Sequence, residues 1–510
     1  MIKYIILLIL SLCIWSSEVN AATFQASSCS LSDVTTAIGK ATDGDTVVIP
    51  AGACTWSSYL PIGKGSSRTK MVKLIGAGTD ALTGTRITCN DTCIWAWLRN
   101  GLANLEISYI RFIEGTATEA WAIQLGGHAD IYNSLFRIHH CYFQYGSGSI
   151  DNAIIIGGLN QYDSSYDINH PYIFGLIDNN TFKADATTQG IDIGPVYSSG
   201  ISTQNAGDAA WKLWEMSDHQ GTWKNVIIED NVIDSRPGWR DGTAFMDGAG
   251  GSAYVFRHNT IYNNWISNHD PGSNGWRGHK WTEAYDNIFV LDYVGSGYNG
   301  GITWRAGTGV AFNNEFYDAN RKGAYVGSGT DTFNLFLNLQ YYRNCENQGG
   351  GGNPINCPNN ILCGQDPTLG CDNKEDASGW ICRDQTGARK GAAEPTWVFG
   401  YRFATEPIVG WNNNYTSALA FNVHNFAACD ETLYVRERRD FISDNSCTGY
   451  MGESICANFW DDTNNKKLNY TAYVWPHPLR GESSTTCSGC KGQNNSWRTK
   501  QGGFNGGFQQ

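Results

Sequence analysis

Between Arg257 and Arg305 the chain carries Arg257, His269, Arg277, Glu283 and Arg305. These residue types suit proton transfer beside a bound anion. A guanidinium fork grips a carboxylate at two points, an imidazole moves a proton near neutral pH, and a carboxylate orients the imidazole. Together they fit β-elimination at an acidic sugar, which needs a cation on the carboxylate, a base for the C5 proton and an acid for the leaving oxygen. In that reading Arg257, Arg277 and Arg305 hold the carboxylate, with one of them available as the base. His269 is the base or the acid, oriented by Asp270 or Glu283. Arg240, Asp247, His279, Lys280 and Trp214 would line the substrate path. A hydrolase would instead use two carboxylates roughly 5–9 Å apart, drawn from Asp241, Asp247 and Glu283. Calcium could be held by Asp178, Glu229 or Asp247, although no calcium-loop motif is present. Two bland readings stand beside these: non-catalytic sugar binding, and opposite charges stacked for structure alone.

Residues this scattered need a scaffold, and a repeat supplies one. Ile228-Glu-Asp-Asn231-Val-Ile233 returns as Phe256-Arg-His-Asn259-Thr-Ile261, Ala284-Tyr-Asp-Asn287-Ile-Phe289 and Ala311-Phe-Asn-Asn314-Glu-Phe316. The asparagines are 28, 28 and 27 residues apart. A fixed period with short strand-like units marks a solenoid. One asparagine per coil, stacked about 4.8 Å apart, offers donor and acceptor to the buried backbone of a tight corner. Looser copies occur at Ile138-His-His-Cys141-Tyr-Phe143 and Ile177-Asp-Asn-Asn180-Thr-Phe182.

Strand alternation then predicts which side chains stack. Two positions before the asparagine, an outward column reads His139, Asp178, Glu229, Arg257, Tyr285 and Phe312. Four positions before it stand Arg137 and Glu283. Arg257 and Glu283, one coil apart on a diagonal, are placed to pair, as are Asp178 and Glu229.

The chain has 510 residues, 41% of them hydrophobic, with 59 glycines and a net charge of −12. That acidity excludes a nucleic-acid partner, which needs a basic face, but not an acidic polysaccharide held by local arginines. Residues 1–21 read as a secretory signal, with Lys3, the apolar run Ile5–Trp15 and cleavage after Ala21. No other stretch reaches spanning length, so membrane insertion is not expected. In an exported chain the remaining fifteen cysteines read as disulfides. Cys29 with Cys54 and Cys89 with Cys93 are the local pairs, and Cys141, in a ladder slot, is the thiol left over. Zinc at Cys487-x-x-Cys490 is the weaker alternative, because it lacks a second half.

Residues 22–60 hold an amphipathic helix, Leu31–Ile38, and a first strand, which together would cap an open solenoid end. Residues 61–340 hold the coils, with loops expected around Tyr145–His170 and Gly194–Thr222; the second carries Trp211 and Trp214. Residues 341–490 are Cys-rich and irregular, with one further coil near Val409–Asn414. Residues 491–510 form a Gly-rich tail.

The opening Gly44-Asp45-Thr46-Val-Val-Ile49-Pro50 and the asparagine phrases resemble bacterial proteins of the pectate-lyase-like superfamily. So do Arg277-Gly278 leading into Glu283-Ala-Tyr285-Asp-Asn287, Arg305-Ala-Gly-Thr308-Gly309-Val310 and Trp475-Pro476-His477-Pro478-Leu479. The resemblance covers nearly all of the chain after Ala21. It implies an all-β fold, a single-stranded right-handed parallel β-helix with an N-terminal capping helix, long lateral loops and a disulfide-rich C-terminal region. No run matches the catalytic motifs of the pectate lyases proper, and the paired aspartates of the polygalacturonase relatives are absent. The expected function is a secreted or cell-surface polysaccharide lyase acting on an extracellular acidic polysaccharide. The alternative is a non-enzymatic surface protein whose coils bind glycan or assemble as a homo-oligomer or filament, strapped by the Gly/Phe tail.

Overall fold

The structure is a computed structural model. It describes residues 21–481 except 64–69, 100–101, 117–120, 129–134, 146–152, 158–172, 185–190, 194–218, 237–243, 249, 269–277, 292–298, 319–333, 340–385, 394–400, 415–420, 424–436 and 444–453. The signal segment, the cysteines between 345 and 382, Cys487, Cys490 and the tail lie outside the described residues. No described helix is long and apolar enough to cross a membrane.

Three long sheets account for the architecture: sheet 1 with twelve strands, sheet 2 with nine and sheet 3 with ten. The chain visits them in turn. Ala253–Arg257 lies in sheet 1, Thr260–Tyr262 in sheet 2, Trp265–Asn268 in sheet 3, and Trp281–Tyr285 returns to sheet 1 beside the first. Each strand pairs in parallel with its counterpart one coil away. This is a parallel β-helix.

Parallel in-register pairing stacks like positions on like, and the strand alternation sorts them in or out. In sheet 1 the inward column is Ile107, Ile138, Ile177, Ile228, Phe256, Ala284 and Ala311, all buried. In sheet 2 Phe112, Phe143 and Phe182 stack with ring centroids 5.3 and 4.7 Å apart. Burying each such ring contributes about 2–3 kcal/mol, repeated coil after coil.

The ladder forms at the corner between sheets 1 and 2. Asn231 N donates to Asn259 Oδ1 at 2.9 Å, and Asn231 Nδ2 donates to Ile177 O of the previous coil at 2.9 Å. The rungs run from Asn180 through Asn231, Asn259, Asn287 and Asn314 to Asn413. The residue before each rung is left-handed: Asn179, Asp230, His258, Asp286, Asn313 and Asn412 have φ between 52° and 56°. The enrichment of Asn, Asp and His follows, since short polar side chains tolerate that region best.

At the N-terminal end, helix α1 (Leu31–Lys40) is capped by Ser30, whose Oγ accepts from Asp33 N at 3.3 Å. It lays Val34, Ala37 and Ile38 on the end of the core. Cys29–Cys54 and Cys89–Cys93 are disulfides, and Cys141 is a buried free thiol. The further coil near Val409 is present: Ile408–Trp411 pairs with Thr308–Phe312. One expectation fails in detail. The loop placed over Tyr145–His170 contains a strand, Ile154–Ile156, in sheet 3. Its continuous apolar run lacks the alternation that marks a strand. The chain divides into two units, Met1–Thr471 and Ala472–Gln510. In the second, His477 caps the short turn Pro478–Arg480, its Nδ1 accepting from Leu479 N at 3.0 Å.

Candidate functional site

The outward column of sheet 1 has the register read from the sequence: His139, Asp178, Glu229, Arg257, Tyr285 and Phe312 are successive partners. Its pairing differs. Arg257 turns to Glu229 on the coil before, with Nε and Nη2 donating to Oε2 at 2.8 and 2.6 Å, and Nη1 donates to Tyr285 Oη at 2.8 Å. Asp178 is the register partner of Glu229 and is gripped by Arg137 at 2.9 and 2.8 Å. Glu283 takes a third set of partners: Gly221 N at 2.7 Å, Trp281 Nε1 at 3.2 Å and the Tyr470 hydroxyl. Burial pushes the Glu283 carboxyl up, against those three donors and the nearby Arg257.

Asp178, Glu229, Arg257 and Glu283 all have zero exposure. Two segments seal Glu283. One is His219–Trp223, the described end of the second expected loop, which places Gly221 on Glu283. The other comes from the C-terminal region. Its Lys467 donates to Glu406 at 2.6 Å and lies 4.8 Å over the Trp281 ring, and its Tyr470 reaches Glu283. Gln220 also donates to Glu406, at 2.7 Å. A polysaccharide cannot reach Arg257 or Glu283 in this arrangement.

His279 faces the interior. Its Nδ1 shares a hydrogen bond with Ser252 Oγ at 2.8 Å and its Nε2 with Thr282 Oγ1 at 2.6 Å. Burial drives its pKa down to about 3, so the ring is neutral. Beside it Asn268 links Tyr254 and Thr282. With its amide turned to match these donors and acceptors, it also accepts from Trp304 Nε1 at 3.1 Å. These are structural partners within the coil. Lys280 is buried, its backbone N bonded to Ser252 O at 3.0 Å.

Asp247 and Arg305 lie on sheet 3, a different face from Arg257 and Glu283. In register there, one position per coil, stand Gln124, Ile155, Asp192, Asp247, Ser267, Thr303, Asn338 and Asn422. Gln124, Asp247, Ser267 and Thr303 alternate with core residues such as Ile156, Met246, Ile266 and Ile302, so these polar side chains sit on the side of the strand away from the core, although each is buried. Arg305 Nη2 donates to Ser267 Oγ at 3.2 Å. Thr303 Oγ1, one coil on from Ser267, is buried and has no hydrogen-bond partner among the described residues. Such an atom carries a desolvation penalty of about 1–3 kcal/mol unless something else bonds it. His269 follows Asn268 directly in the chain; it, Arg240, Asp241, Asp270, Arg277 and Trp214 lie outside the described residues.

Sequence reasoning passed over a second group on sheet 1. His139 Nε2 meets Glu106 Oε1 at 3.0 Å, its Nδ1 meets His140 Nδ1 at 2.8 Å, and the Tyr109 ring stacks on His140 at 5.0 Å. The His139 bond, outweighing burial, holds the Glu106 carboxyl low. The signal was available: Glu106 and His139 occupy adjacent columns on successive coils.

The sheets and the ladder define the class, a parallel β-helix. No protein-family model matches the chain, and no curated protein matches it. Among solved structures the chain is similar to an alginate lyase from Paenibacillus sp. str. FPU-7. That match has 13% identity and a TM-score of 0.29, and it spans 57% of this chain and 94% of the other.

Proposed function

We propose that this is a secreted polysaccharide lyase that cleaves an acidic glycan by β-elimination, with the glycan lying along the outward column of sheet 3. The observation that carries the reading is Thr303, whose buried hydroxyl is unbonded beside Ser267 and Arg305. A sugar hydroxyl or carboxylate would satisfy it. Arg305 neutralises the uronate carboxylate, which acidifies the C5 proton. A base takes that proton, the C–H electrons form the C4–C5 double bond, the C4–O bond breaks and the leaving oxygen is protonated. His269, next in the chain after Asn268, is the base or the acid, with Arg277 a second carboxylate partner. Asp247 orients one of them; Arg240 and Trp214 belong to the binding wall, and Lys280, being buried, does not.

Asp178 and Glu229 do not fit a calcium site, because each already meets a guanidinium. Among the described residues no group of three His, Cys, Asp or Glu could hold a metal ion.

The test is a panel of uronate polysaccharides followed by ultraviolet absorbance of the unsaturated product. Arg305→Ala is expected to lower the rate about 100-fold or more, in the range set by losing one charge-stabilising donor. A folded protein that produces no absorbance from any uronate polymer sinks the lyase reading. The second reading, a non-catalytic glycan-binding surface protein, is favoured by the sealing of Arg257 and Glu283. It predicts binding to the same panel without product.

A further inference from the structure

The outward face of sheet 2 takes no part in either reading of the site. We infer that its N-terminal half is a binding surface for a uronate polysaccharide, separate from the column on sheet 3. The face is open. Along strands Thr85–Cys89, Ile110–Glu114, Tyr142–Tyr145, Thr181–Ala184 and Val232–Asp234, the inward positions are buried and the outward ones described reach solvent.

Its charge is opposite to that of the whole chain, whose net charge is −12. Arg86 and Arg111 are register partners one coil apart. Tyr142 follows on the next coil and Lys183 on the one after, in the neighbouring column. No carboxylate enters the two outward columns until Asp234. Two guanidinium groups stacked about 4.8 Å apart repel each other unless an anion lies between or over them.

Neither guanidinium is neutralised from within. Among the described residues Arg86 makes no hydrogen bond or ion pair, its buried Nε included. Arg111 is held by uncharged groups: its guanidinium lies 4.1 Å over the Tyr142 ring, and Nη2 donates to Gln144 Oε1 at 2.9 Å. Asp80, which feels the charge of Arg111, makes no ion pair with it and accepts from Leu82 N and Thr83 N at 2.8 Å each. A ring-stacked guanidinium is pre-organised, so less side-chain entropy is lost when it takes a carboxylate. Further along, Lys183 is neutralised by Asp234 at 2.7 Å, which sets one limit of the surface. A ligand that offers a carboxylate on every ring and runs along the axis matches this row, and a neutral glycan does not.

The experiment is titration calorimetry of the full chain with polygalacturonate, with neutral dextran as control and sodium chloride varied. Wild-type protein is expected to bind the acidic polymer, more weakly as salt shortens the screening length, and to ignore dextran. Arg86→Gln together with Arg111→Gln should weaken binding about 10-fold or more. Arg86→Gln alone, with no internal bond to lose, should weaken it in part while unfolding as wild type does. The Arg86→Gln/Arg111→Gln variant should still form product at saturating polymer, with the wild-type kcat, so the surface and the lyase reading fail separately. Equal affinity of wild type and the double variant, equal binding of dextran, or no binding of the acidic polymer by wild type would each overturn the assignment.

Discussion

Arg257 closes on a single oxygen of Glu229, with two nitrogens at 2.8 and 2.6 Å and neither side chain exposed. Removing one partner strands the other charge in the interior. Arg257→Met is expected to destabilise the fold by about 3–5 kcal/mol in urea unfolding, and Glu229→Gln by a similar amount. Replacing both with apolar residues of similar volume should recover most of that loss. If Arg257→Met unfolds at the wild-type urea midpoint, the pair has no structural role and Arg257 must be explained otherwise.

Thr303 tests whether the sheet 3 column is a site or a defect. Valine keeps the shape and removes the unbonded hydroxyl. Thr303→Val should therefore raise stability by about 1 kcal/mol while slowing product formation about 10-fold. A variant that is more stable and equally active would show the hydroxyl to be idle.

His279 sets a pH response. Its folded pKa is lowered by burial from 6.5 to about 3, so the unfolded chain takes the proton first. Stability is full above 6.5 and falls as pH drops from 6.5 towards 3, at up to about 1.4 kcal/mol per pH unit from this group. His279→Asn should unfold more easily at pH 7 yet lose less stability between pH 6.5 and 4. Identical slopes for the two proteins would show that His279 does not carry the acid sensitivity.

Cys141 occupies the first ladder slot but fills it poorly. Its N donates to Asn180 Oδ1 at 2.9 Å, whereas its Sγ makes weak contacts to His139 O at 3.5 Å and, across the coil step, to Ile107 O at 3.8 Å. At the next slot Asn180 Nδ2 donates to Ile138 O at 2.9 Å. Cys141→Asn should complete that bond and stabilise by about 1 kcal/mol. Burial also pushes the Cys141 thiol up to about 12, so the folded protein should resist alkylation at pH 8 and react only on unfolding.

The fold was legible because its period is written in buried polar residues. Asn231, Asn259, Asn287 and Asn314 fix the register of sheet 1, and the outward column from His139 to Phe312 followed from them residue by residue. Sheet 3 was not legible. Its strands vary in length and pattern, from the wholly apolar Ile154–Ile156 to Asn299–Trp304, and no repeated phrase marks the turns before them. For that reason Asp247 and Arg305 were grouped with Arg257 and Glu283, although the coil places them on another face. Burial escaped for a different reason. The segments that seal Glu283 arrive from Gly221 and Tyr470, far away in the chain, and a pattern local to one coil cannot anticipate them. His279 belongs to the same coils as the candidate site, which puts it on the expected substrate path; its two hydroxyl partners, Ser252 and Thr282, become visible only once the coil is closed.

The two ends of the solenoid are fastened by different means. Up to Cys93 the coils carry covalent staples, Cys29–Cys54 and Cys89–Cys93, and no asparagine rung. From Asn180 to Asn413 they carry rungs. A reductant acts on these staples, and on the disulfide of Cys456 in the C-terminal region, but leaves the rungs intact, and each rung holds only its immediate neighbours. Reduced protein pulled from its ends is therefore expected to unzip from the N-terminus coil by coil, in steps of one repeat, whereas oxidised protein should begin to yield elsewhere. The direction of mechanical failure becomes a property that the redox state of the surroundings can reverse.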